Sequence, residues 1–211
     1  MVTVSDDFNR ADNSSLGANW TNTAASTIGV KSNRCYFGDD YGAGELHRVR
    51  YTGTALSSVD HYVQTEVVTL PASGYGDVRV YARFASATQG YELRVNNSNE
   101  WWLTRIVSGG DVDLVGPTSA TAVGTWRLEV SGTSPVSLRV YRNGVQQGSP
   151  YDDSSGGRYT TGTTCGIGGY TAGGSPSDVT QDNWSSGDLA AAATSYPPAW
   201  SRRRFGVLLG R

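Results

Sequence analysis

Asp6-Asp7-Phe8-Asn9-Arg10-Ala11-Asp12 near the start of the chain is answered by Asp182-Asn183-Trp184-Ser185-Ser186-Gly187-Asp188-Leu189 near its end. Each stretch sets acidic residues beside an aromatic ring and an asparagine. Between them lie roughly 170 residues of short runs that alternate apolar and polar side chains, with no helical period. A domain built only of strands keeps unpaired edges unless something closes them. The two stretches are therefore read as halves of one clasp, with the first and last strands side by side.

The intervening strands are marked by period two and by their punctuation. Tyr62-Val63-Gln64-Thr65-Glu66-Val67-Val68-Thr69-Leu70 stops at Pro71, and Val78-Arg79-Val80-Tyr81-Ala82-Arg83-Phe84 follows after a Ser-Gly-Tyr-Gly turn. Tyr91-Glu92-Leu93-Arg94-Val95 and Trp101-Trp102-Leu103-Thr104-Arg105-Ile106-Val107 continue the meander. Trp126-Arg127-Leu128-Glu129-Val130 and Val136-Ser137-Leu138-Arg139-Val140-Tyr141 repeat the logic. Asn143-Gly144 then supplies the dipeptide a tight primed turn needs, because both central residues take positive φ. Long alternating antiparallel strands predict two packed sheets, each with one wetted face.

Composition agrees with one all-β domain. Gly is frequent at 27 of 211 residues, while Phe numbers only four and Met one. A net charge of −2 offers no general attraction to nucleic acid, and no such partner is expected. Met1-Val2-Thr3-Val4-Ser5-Asp6-Asp7 lacks the basic and apolar regions of a secretory signal, and no apolar run reaches spanning length. Neither export nor membrane insertion is expected. Cys35 and Cys165 fit no zinc or redox spacing and are read as buried free thiols, with a disulfide as the alternative. His47 and His61 stand alone and are expected at the surface.

Asp7-Phe8-Asn9-Arg10-Ala11-Asp12, Leu16-Gly17, Asn19-Trp20, Gly166-Ile167-Gly168-Gly169-Tyr170 and Asp182-Asn183-Trp184 together resemble the concanavalin A-like lectin/glucanase superfamily. Within it they look most like the laminin G-like jelly rolls of bacterial secreted proteins and of tail and head accessory proteins of actinobacterial phages. The resemblance covers residues 4 to 189. It implies an all-β, two-sheet antiparallel jelly-roll sandwich over residues 1–189, with residues 190–211 as an extended C-terminal tail. It further implies a non-enzymatic, lectin-like virion accessory protein, a phage minor tail or capsid decoration protein, binding host-surface glycan. Proteins in such positions sit as symmetric copies, so a homo-oligomer is expected. The alternatives are a glucanase-type glycoside hydrolase and a secreted carbohydrate-binding module.

Catalysis in the glucanases that the chain resembles rests on a Glu-x-Asp-x-Glu or Glu-x-Asp-x-x-Glu run, whose side chains two apart place two carboxylates about the glycosidic bond. That run is missing, and Glu66 faces Val68 where a partner would stand. No catalytic residue is assigned and no enzymatic activity is expected. Asp111 and Asp113, beside Gly109-Gly110, are read as part of a hairpin turn.

Sugar binding has more support. With Val78, Val80 and Ala82 inward, Arg79, Tyr81 and Arg83 share the other face, joined by Glu92 and Arg94 from the next strand. Forked guanidiniums, an acid and a ring suit a sugar's hydroxyls and its C–H face, although a ladder of cross-strand ion pairs would use the same residues. Of Trp101 and Trp102 one belongs to the core and the other to the surface; Trp102 is carried as the sugar-binding candidate. The resemblance also implies a structural calcium near the junction of first and last strands, with Asp7 and Asp182 as ligands and Asp39 or Asp40 nearby. Hydrogen bonds within turns would account for the same acids.

The tail reads differently from the body. Ala190-Ala191-Ala192-Ala193-Thr194-Ser195 is a small-residue spacer and Tyr196-Pro197-Pro198 is extended. Trp200, Arg202, Arg203, Arg204, Phe205 and Leu208 then combine apolar bulk with positive charge, in a stretch without a single acid. Such a segment is expected to dock on other virion proteins, or else to be a plain basic end.

Overall fold

A computed structural model describes residues 1–23, 28–37, 46–172 and 179–190. The expected docking residues Trp200 to Leu208, and Asp39 and Asp40, lie outside the described residues. Every described element is a strand, and no described helix is long and apolar enough to cross a membrane.

In chain order the strands are β1 (Thr3–Asp6), β2 (Trp20–Asn22), β3 (Ile28–Lys31), β4 (Arg34–Phe37), β5 (Leu46–Tyr51), β6 (His61–Thr69), β7 (Tyr75–Ser86) and β8 (Gln89–Asn96). They continue as β9 (Glu100–Val107), β10 (Gly110–Ser119), β11 (Gly124–Ser131), β12 (Val136–Arg142), β13 (Val145–Asp153), β14 (Cys165–Ala172) and β15 (Thr180–Asp188). One sheet runs β13-β12-β11-β6-β15-β4-β3, with β1 added on β15; the other runs β10-β9-β8-β7-β14-β5-β2. All pairings are antiparallel, giving the expected two-sheet jelly-roll sandwich. Val63, Val67, Trp126, Leu128 and Val130 of the first sheet meet Val78, Val80, Leu93, Leu103 and Ile167 of the second in one buried core.

The clasp closes as the terminal stretches imply. Thr3 pairs with Gly187 and Asp6 with Trp184. The Asp6 carboxylate accepts N–H groups from Arg10 at 2.6 and 3.0 Å, Trp20 at 2.8 Å and Phe8 at 2.9 Å. The Trp20 ring stands edge-on to Trp184 at 4.7 Å and tilts against Phe8 at 6.2 Å. Asp188 completes the closure, accepting from the backbone of Val2 at 2.6 Å, Ser57 at 3.0 Å and Ser58 at 2.9 Å, and from the Ser57 hydroxyl.

Alternation holds on the first sheet: along β6, Tyr62, Gln64 and Glu66 are half-buried outward while Val63, Thr65 and Val67 are buried inward. The second sheet departs from expectation, because the middle of β7 and β14 is buried on both faces. Glycine explains part of this. Gly168 and Gly166 lie on the outer face of β14, where a Cβ would stand 2.7 Å from the Tyr81 hydroxyl and 3.0 Å from Phe84. Bare backbone there lets Tyr81 and Phe84 lie down over β14, their rings stacked at 4.5 Å, with Ile106 beside them. The Arg48 and Arg50 side chains reach the carbonyls of Ala87 at 3.0 Å and Ala85 at 2.6 Å, spanning from β5 to β7 and its turn across this apolar patch.

Both histidines are buried rather than exposed. His61 points inward from β6, and its Nε2 accepts the Arg83 N–H at 3.2 Å. Burial and the Arg83 charge bring its pKa down to about 4, so it is neutral. His47 packs beside Phe37, ring centroids 5.7 Å apart. Cys35 and Cys165 are buried free thiols, as read from their surroundings in sequence.

Candidate functional site

The outer face of the second sheet carries the charge array that the sequence pointed to, but its members play unequal parts. Arg79 is fully enclosed by partners. Its Nε and Nη2 fork onto Asp77 at 2.7 and 2.8 Å, and its Nη1 reaches both Glu92 oxygens at 3.1 and 3.2 Å and Asp111 at 3.2 Å. Arg48 adds a second guanidinium, 3.0 Å from Asp111 and 3.7 Å from Glu92, and Thr104 donates to Glu92 at 3.3 Å. Burial opposes the Arg79 charge, and Asp77 with Glu92 more than compensates, holding its pKa well above the ordinary value. Burial pushes the Glu92 carboxyl up while Arg79 pulls it back. Burial, with the Glu92 charge added, raises the Tyr81 hydroxyl well above its usual range; it sits beside Arg48 without a formed hydrogen bond.

Arg79, Tyr81 and Glu92 are thus correctly placed on one face but not available to a ligand: each is buried, and both charged groups are saturated by protein partners. Arg83 is not on that face at all. It takes a left-handed φ of 48°, inside a bulge that shifts the β7–β8 register after Ala82. The bulge turns it to the sandwich end, where its guanidinium donates to the carbonyls of Val59, Tyr159 and Gly132 at 3.0, 2.6 and 2.8 Å and reaches Asp60 at 3.3 Å. Asp111, read from sequence as a turn residue, opens β10 and bridges Arg48 and Arg79. No local signal marks it, since its partners lie on other strands.

The ligand-accessible part lies at the other end of the face. Trp101 is core, so Trp102 is the outward indole, half-buried. Arg94 lies over its ring at 4.4 Å, and Gly116, at a φ of 126°, leaves room for it: a Cβ there would meet Trp102 Cδ1 at 2.8 Å. Tyr170 and Tyr75, both half-buried, stand edge-to-face at 5.8 Å on the adjoining strands, and the Arg94 charge is felt at Tyr75. Tyr75 also donates to Asp77 at 3.2 Å, which ties this strip to the buried ion network. The result is a row of rings and one guanidinium set on a rigid charged bed, fit to stack on a flat C–H surface and to bond hydroxyls.

The expected calcium ligands Asp7 and Asp182 are both engaged in hydrogen bonds with nearby backbone. Asp7 accepts the Asn9 N–H at 3.1 Å, closing a turn, and Asp182 accepts the N–H of its neighbour Asn183 at 2.8 Å within β15. Burial and the neighbouring Glu66 and Asp7 charges raise the Asp182 pKa, with Asn183 and Arg34 opposing. Among the described residues no group of three or more His, Cys, Asp or Glu could hold a metal ion.

No protein-family model matches the chain, and no curated protein matches its sequence. Solved structures do match in fold. A carbohydrate-binding module, CBM66 of Bacillus subtilis, superposes with a TM-score of 0.54 at 13% identity, over 80% of this chain and 94% of that one. The potassium-bound carbohydrate recognition domain of Emp46p gives 0.53 at 9% identity, over 82% and 90%. A prokaryotic β-1,3-1,4-glucanase (lichenase) from a mouse hindgut metagenome gives 0.54 at 9% identity, over 90% and 100%. The glucanase corrects the expectation that this chain is no enzyme. The same fold carries a hydrolase, so the missing Glu-x-Asp-x-Glu run does not by itself exclude one. The expected place in a phage particle gains no support from these likenesses. What they establish is architecture: the chain has the concanavalin A-like jelly-roll fold found in carbohydrate-binding modules, lectin domains and glycosidases.

Proposed function

We propose that the protein binds glycan on the outer face of its second sheet, through Trp102, Arg94, Tyr75 and Tyr170. The observation that carries this reading is the strip itself: three half-buried rings and a guanidinium on one sheet face, with Tyr75 tied to the buried ion network through Asp77. The fold's occurrence in a carbohydrate-binding module and a lectin domain lends it weight.

The test is retention on immobilised β-1,3-1,4-glucan, xylan and mucin. Wild-type protein is expected to be retarded on at least one, and Trp102→Ala with Tyr170→Ala to lose about tenfold or more in affinity, each ring contributing about 0.5–1.5 kcal/mol. Wild-type passage through all three without delay would end the proposal.

The biological setting belongs to the same proposal: a virion whose neighbouring proteins are gripped by residues 190–211. Its support is the resemblance in the terminal motifs and the basic-apolar composition of that segment. Removing residues 190–211 is expected to abolish assembly onto a particle while leaving the sandwich's melting temperature within a degree or two; unfolding of the truncated chain would refute it.

A further inference from the structure

The first sheet also has an ordered outer face. Gln64 of β6, Arg127 of β11 and Tyr141 of β12 stand in one cross-strand row, with Tyr62, Glu129 and Arg139 in the next. All six are half-buried. Arg127 lies over the Tyr62 ring, 3.8 Å from its centroid, and pairs through Nη2 with Glu129 at 2.6 Å. The stack closes off its Nε, so the guanidinium is held in one orientation by ring and carboxylate together. Between Gln64, Thr125, Arg127, Glu129, Tyr141 and Gly144 the surface sinks into a hollow of about 240 Å³. Gly144, at a φ of 78° in the β12–β13 turn, leaves its lip open, since a Cβ there would meet nothing within 4 Å.

The lining chemistry is specific. Guanidinium and amide donate, carboxylate and amide accept, Thr125 and Tyr141 do either, and the Tyr141 ring offers a half-buried aromatic face. Adjacent donors and acceptors on a fixed plane match vicinal hydroxyls, each of which is both donor and acceptor. The lining carries one cation and one anion already paired, so it has no net charge to attract an ionic ligand. The hollow is below the usual range for drug-sized ligands, roughly 300–1,000 Å³, and suits a single sugar unit.

We propose that this hollow is a second glycan site, taking one neutral pyranose unit of a chain, so that the two outer faces of the sandwich engage two glycan strands at once. The inference rests on the glycan-binding reading of the second sheet for its partner site, but uses none of that site's residues. Because the sheets pack back to back, the two faces look in opposite directions, and one molecule would bridge polymers rather than wrap one. Occupying both sites on a polymer network multiplies the apparent affinity by avidity, on the order of a hundredfold over either site alone.

The experiment is calorimetric titration with hexasaccharides of β-1,3-1,4-glucan and of xylan, with light scattering of the parent polymers as a second readout. The variants are Arg127→Ala with Tyr141→Ala on one face and Trp102→Ala with Tyr170→Ala on the other, each checked for an unchanged melting transition. Arg127→Lys, which keeps charge but not the planar stack, serves should the alanine pair unfold. Two equivalents per chain in wild type, falling to one in either variant, with polymer cross-linking lost in both, is the result expected. One equivalent, indifferent to the Arg127 and Tyr141 changes and abolished by the Trp102 and Tyr170 changes, would overturn the second site and leave the first standing. No uptake of either sugar by wild type would overturn the second site, and the first as well if immobilised mucin also fails to retain the protein.

Discussion

Arg79 shows how a single side chain can look functional in sequence and prove structural in space. Its three nitrogens are shared among Asp77, Glu92 and Asp111, and losing it would leave two fully buried carboxylates without their main counter-charge. Arg79→Ala is expected to cost about 3–5 kcal/mol, read from chemical denaturation, because breaking a buried pair strands the partner left behind. Asp188 makes a different kind of statement. Burial raises its pKa, but hydrogen bonds from Ser57, Val2 and Ser58 outweigh that and hold it below 3.8; at Asp6, bonds from Arg10, Trp20 and Phe8 overcome burial in the same way. A folded pKa below the unfolded one means stabilisation that is complete above the unfolded value and lost as pH falls through the folded one. The melting temperature should therefore drop as pH is lowered from about 4 toward 2. Asp188→Asn should lie below wild type at neutral pH and show a shallower acid slope; an unchanged slope would remove Asp188 from the account.

Strand β14 explains why the second sheet has no conventional wet side. Gly166 and Gly168 are the floor on which Phe84 and Tyr81 rest, and Gly169 faces the core, where a Cβ would come within 2.2 Å of Phe37. Gly168→Ala would press on the Tyr81 hydroxyl and on the His47 carbonyl, the latter only 2.3 Å away. Since backbone cannot step aside as a side chain can, a loss of about 1–3 kcal/mol is expected by denaturation, with the Tyr81 ring displaced in a crystal structure. Here lies the limit of reading the sequence. Period two placed β6, β7, β8, β9, β11 and β12, and put Arg79, Tyr81, Glu92 and Arg94 on one face, because alternation is a local property; between Trp101 and Trp102 it left the choice open. Which of them touch solvent depends on Arg48, Asp111 and the β14 glycines, supplied by strands up to 90 residues away. Arg83 escaped for the opposite reason: one left-handed residue reverses the alternation, and nothing in Ala82-Arg83-Phe84 marks it. Tyr75 and Tyr170 escaped because each seemed to belong to a turn or a glycine run.

At the scale of the whole molecule, the jelly roll separates two jobs that one sheet could not do at once. Its interior is a single apolar core, and its outer faces are free to differ: one roofed by arginines and opening on an aromatic strip, the other a polar plane with a shallow hollow. The terminal motifs read as a clasp meet as expected, because an aromatic and an acid at each end need each other's company to be buried. That closure has a consequence for engineering. With Thr3 paired beside Gly187, the strands from β1 to β15 form a ring cut at one point. A short peptide splice across the gap, with fresh termini opened at the exposed Asn143-Gly144 corner, should yield a circular permutant. The sandwich could equally be inserted whole into a surface loop of an unrelated scaffold.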